Sequence, residues 1–174
     1  MSLIEIVLAA AMQASPLATP PAATDVQITE PRNAAAGFAV VMWMSHVDTI
    51  GSHCSKLPGK TAATSADALA AWQQRNSPYV NAALKYMARI EDMLGATHGE
   101  AARQQFRDDR KREFVSATHQ AQSVWFPDAM VTDAGCLKLA AALDSGELDL
   151  RRQAEFFPIL QQLKSEDEQP RQAR

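Results

Sequence analysis

Cys54 and Cys136 are the only cysteines in this 174-residue chain, and each falls on the apolar stripe of its own helical segment. No third thiol competes for either one. In an exported chain such a pair oxidises together, and the bridge would tie the first core helix to the fourth. It would close a loop of about 80 residues, worth about 4 to 5 kcal/mol in the chain-entropy account, a large share of a domain's stability. In a reducing compartment the same residues would remain two buried thiols acting as small hydrophobes. Neither stands among basic residues, and an apolar face raises a thiol's pKa, so neither reads as a catalytic nucleophile.

The N-terminus bears on that choice. "MSLIEIVLAAAMQASPLA" has an apolar run, then small residues with an A-x-A match at Ala9 and Ala11, as at the end of a secretory signal. It lacks a basic first region, and Glu5 interrupts the run, as in an amphipathic first turn. Together with the cysteine pair it predicts a periplasmic or secreted protein. No apolar run is long enough for a membrane span. "SPLATPPAATDVQITEPRN" follows with four prolines and no helical period, which reads as an extended leader. The expected organisation is a leader over 1–32, a helical domain over 33–164 and a disordered polar tail over 165–174.

Alanine is abundant, whereas glycines number 7 and aromatics make up 6%, so helix formers outweigh strand formers. The chain is long enough for one core. The expected fold is an all-α, single-domain bundle of about five helices with one disulfide. Both signs of charge are interspersed and the net charge is −3, which leaves no electrostatic footprint for nucleic acid or an anionic membrane.

At 100° per residue, Val40, Trp43, Met44, Val47, Ile50, Gly51 and Cys54 share one face of a first helix that "LPGK" stops. A second helix is expected to open with Thr64, Ser65 and Asp67 as a variant capping box. Its stripe, from Leu69 to Leu94, keeps phase across Pro78, which predicts a kinked helix in preference to two helices with Ser77 as a cap. A charged third helix, Glu100 to Trp125, has only the narrow seam Phe106, Phe114, Ala117 and Val124 to bury. Thr132, Cys136, Leu139 and Leu143 share a face of a fourth helix, and a fifth, "RRQAEFFPILQQL", is expected to be interrupted by Pro158.

"MWMSHVDTIGSHC" gathers metal-ligating residue types, but His46 and His53 stand about 10 Å apart along a helix, too far to grip one ion. Met42 and His46, one turn apart, suit Cu(I) better as thioether and imidazole. On a helix such a methionine is more often packing. His98 and His119 stand alone in polar surroundings. "WQQRNSPY" offers Trp72, Arg75, Asn76 and Tyr79 either as a binding surface or, preferred here, as donors that satisfy backbone groups freed by Pro78. The pairs Glu91–Asp92, Asp108–Asp109 and Glu147–Asp149 lie in solvated runs. HExxH, GxSxG, P-loop and CxxCH signatures are absent, so no catalytic residue and no cofactor are assigned.

Cys54, the helix opening "TAATSADALAAW" and Cys136 in "CLKLAAALDSGELD" resemble the small helical periplasmic immunity proteins that neutralise type VI secretion amidase effectors. The resemblance spans Cys54 to Asp149. It implies an all-helical fold, a disulfide, frequent dimerisation, and inhibition by insertion of a surface segment into a toxin's active site. The expected function is therefore an exported module that binds a protein partner. Alternatives are a periplasmic metal or small-ligand binder using Met42, His46 and His53, and a cell-wall or sugar hydrolase using two of the carboxylates.

Overall fold

The computed structural model describes residues 26–127 and 132–169, so the signal reading, most of the leader and the last five residues of the tail lie outside the described residues. Five α-helices and two short 3-10 turns account for the regular structure, and no strand occurs among the described residues. The all-α expectation holds.

Helix α1, Glu30–Ser52, starts where Thr29 accepts the Arg32 N–H at 3.4 Å, with Pro31 in its first turn. The domain start expected at Asn33 thus falls three residues earlier, because a threonine cap and a first-turn proline both favour initiation. After the 3-10 turn Cys54–Lys56, Gly59 redirects the chain, and α2, Lys60–His98, is already helical before the Thr64-Ser65-Asp67 signal. Ser65 is wholly buried inside that helix, so the expected capping box is not used.

Helix α2 is the spine. Its 39 residues run unbroken through Pro78, span about 58 Å, and touch each of the other four helices. Pro78 and Gln74, whose carbonyl it leaves without a helical donor, are both exposed, so water is the partner at hand. One residue, Gly99 at φ +88, separates α2 from α3, Glu100–Trp125. That left-handed conformation favours glycine and turns the chain back without a loop.

The seam of α3 departs from expectation. Thr118, Ala121 and Gln122 are buried, Phe106, Phe114 and Ala117 are half-buried, and Val124 is 66% exposed. Polar contacts with α1 set the phase at this end and carry Val124 outward. Helix α4, Asp133–Asp144, is capped by Thr132 and buries Cys136, Leu139 and Leu143 as expected. Pro158 does not interrupt a helix. It lies in the first turn of α5, Phe157–Glu168, where proline is tolerated. Tail residues 165–168 belong to α5, pinned by Glu166 to Arg32 and by Asp167 to Lys85 at 2.7 Å.

The largest correction concerns α1. Its inward face is Ala35, Ala36, Ala39, Met42, Ser45, His46 and Thr49, joined by Val40 and Ile50. Trp43, Met44 and Val47 are only half-buried and Gly51 is exposed. The three alanines are fully buried; side chains that small let helices approach closely, which Trp43 and Met44 would prevent.

Cys54 and Cys136 form a disulfide with Cα atoms 5.6 Å apart across a separation of 82 residues. The bond fastens the end of α1 to α4 while both residues pack in the core. Replacing both cysteines by alanine should lower the unfolding free energy by about 4 to 5 kcal/mol. Urea denaturation of oxidised wild type against the double variant measures this, and a difference near 1 kcal/mol would mean that packing alone seats α4.

Candidate functional site

The residues singled out in "WQQRNSPY" converge on the connection between α4 and α5 rather than on solvent. Trp72 is wholly buried and its Nε1–H donates to the Leu148 carbonyl at 2.9 Å. Asn76, 1% exposed, donates from Nδ2 to Asp149 Oδ1 and to the Trp72 carbonyl, both at 2.9 Å, and accepts the Leu150 N–H on Oδ1 at 2.8 Å. Arg75 donates from Nε to Asp149 Oδ2 at 3.0 Å and from Nη2 to the Leu143 carbonyl. Arg151 approaches the same Oδ2 at 3.1 Å. Tyr79, half-buried, meets Phe157 edge-on at 5.2 Å.

Both readings of this stretch need correcting. The groups do not serve the backbone freed by Pro78, because the carbonyl that Asn76 reaches is that of Trp72. Nor do they form an accessible surface, since Trp72 and Asn76 are interior. Instead they bind the turn of residues 145–150, whose sharpest point, Gly146 at φ +74, leaves only 3.0 Å between a hypothetical Cβ and Asp149 Oδ2. Asp149 is buried with its oxygens occupied by Arg75, Asn76 and Arg151, an arrangement that suits anchoring and leaves no room for proton transfer to a substrate.

The metal candidates also separate. Met42 and His46 are both core residues, whereas His53 is the C-cap of α1. No cluster of three or more His, Cys, Asp or Glu that would hold a metal ion occurs among the described residues. The His46 ring is wholly buried, edge-on to Trp72 at 4.7 Å and tilted against Phe126 at 5.2 Å. Neither ring nitrogen has a hydrogen-bond partner. Burial pushes its pKa down to about 3, so it is a neutral ring in an aromatic box.

Of the other candidate carboxylates, Glu147 is exposed and Asp108 accepts from Gln104 Nε2 at the surface, at 3.0 Å. Glu91 faces Arg107 and Arg110, Asp92 pairs with Arg103, and Asp109 with Arg112. A groove of about 490 Å³ lies between α1 and α3. Trp43, Met44 and Val47 of α1 and Val115 of α3 supply its apolar lining, and Asp48, Ser52, Thr118 and His119 its polar edge. Asp48 accepts from Gln122 Nε2 and from Ser52 Oγ, each at 2.7 Å. Those bonds, Gln122 first, hold its carboxyl below the ordinary carboxylate range. Thr118 Oγ1 is buried without a partner.

Sequence reasoning missed this groove because it assigned Trp43, Met44 and Val47 to the core. The available signal was the Ala35-Ala36-Ala39 stripe, which marks the close-packed side of α1 and leaves the larger apolar residues facing away. Comparison with protein-family models, curated proteins and solved structures finds no match to this chain. The site is therefore read from its own geometry.

Two consequences can be measured. Asn76→Leu leaves Asp149 and the Leu150 N–H short of partners and should cost about 3 kcal/mol in denaturation; a loss under about 1 kcal/mol would mean that the turn is not held there. His46 has a folded-state pKa well below the value near 6.5 of an unfolded chain. The unfolded state therefore binds the proton first, and stability present above about pH 6.5 is lost as pH falls toward 3. Between about pH 7 and pH 5 wild type should lose on the order of 2 kcal/mol more than His46→Leu, and parallel curves for the two proteins would disprove it.

Proposed function

We propose that this chain is an exported helical module that binds a protein partner through the α1–α3 groove. The observation that carries the reading is that apolar residues of α1 beyond its fully buried stripe, Trp43 and Met44 half-buried at the margin of the core and Val47 beside them, line a groove with Val115. Aromatic, methionine and aliphatic groups around a concavity with a polar edge have the make-up of a partner-binding patch. The disulfide supports placement in an oxidising compartment, and no described helix is long and apolar enough to cross a membrane. Within this reading, the resemblance to amidase-immunity proteins makes a toxin the partner and inhibition the activity.

The test is crosslinking in the native exported fraction, followed by recovery of wild type and of Val47→Glu, with helicity checked by circular dichroism. One protein recovered with wild type and lost with the variant is the expected result. Equal recovery by both would place the contact elsewhere, and recovery of nothing by either would count against a binding role. If that partner degrades peptidoglycan, wild type should stop the hydrolysis and Val47→Glu should not.

A further inference from the structure

Resting on that reading, we propose that the groove is built for a segment that places an apolar anchor between Trp43 and Val115 and a lysine or arginine against Asp48. Asp48 is the one carboxylate among the described residues of the lining. It is held from two directions, by Gln122 on Oδ2 and Ser52 on Oδ1, and both bonds favour its charged form. A carboxylate oxygen accepts more than one hydrogen bond, so each still has capacity for an incoming cation. Fixing the anion in advance reduces the ordering that binding must impose.

A second copy docked groove to groove fits poorly, since a two-fold contact matches one patch with itself and would bring two Asp48 carboxylates together. A partner with an acidic flank meets the same repulsion, in a chain whose own net charge is −3.

The probe is a random peptide library displayed on phage and selected in neutral buffer on the oxidised wild-type chain, with Asp48→Lys, Asp48→Asn and Val47→Glu as comparison targets checked for helicity. Selected peptides should carry an apolar residue with a lysine or arginine close by, and should bind Asp48→Lys about tenfold more weakly. Asp48→Asn keeps the shape and should weaken binding less. Selection on Asp48→Lys should replace the basic residue by aspartate or glutamate. Peptides that need Val47 yet bind wild type and Asp48→Lys equally would overturn the cation preference and leave the docking face standing. Failure to obtain any peptide dependent on Val47 would overturn both.

Discussion

The bond between Cys54 and Cys136 fixes a geometry that the individual helices do not dictate. Helix α4 is only 12 residues long, too short to be stable alone in water, and a four-residue interval outside the described residues precedes it. Tethered at Cys136 to the end of α1, it lies where Leu139 and Leu143 reach the core. The chain leaving its far end is then within reach of Trp72, Arg75 and Asn76. The covalent tether holds one end of α4 to the 3-10 turn after α1, and the polar clamp holds the chain leaving the other end to α2.

That clamp shows why a polar cluster in a helical core can be stabilising when it is complete. Asp149 alone in such a place would be prohibitive. Shared among an amide and two guanidinium groups, it seats a tight turn that has few apolar atoms of its own. Among the described residues the interior also holds polar atoms without partners: Arg32 Nε, both His46 ring nitrogens and the Ser65 and Thr118 hydroxyls. His46 survives as a neutral ring because its partners are aromatic faces and edges.

Much of the fold was legible because helical period, alanine content and cysteine placement all pointed one way. The limits of α3 and the buried faces of Cys136, Leu139 and Leu143 followed from spacing alone. The failures share a cause. Ranking residues by apolarity puts Trp43 and Met44 inside, but close packing against a long neighbouring helix selects small side chains, so Ala35, Ala36 and Ala39 took that place and carried Ser45 and His46 in with them. Likewise, Asn76 looked like local repair of a proline because its partners at Asp149 and Leu150 lie more than 70 residues away, a separation that no window of sequence spans. The groove could not be read before the phase of α1 was corrected.

The division of α1 into an alanine side and a tryptophan side has an evolutionary consequence. The residues that hold the bundle together and those that line the groove occupy the same helix, and only Trp43 and Met44 serve both. Val47 lies outside the core cluster, so replacing it removes little core contact, whereas enlarging Ala36 would wedge two helices apart. Surface chemistry can therefore diversify along this helix from one descendant to the next while the architecture beneath it stays under separate and much tighter selection.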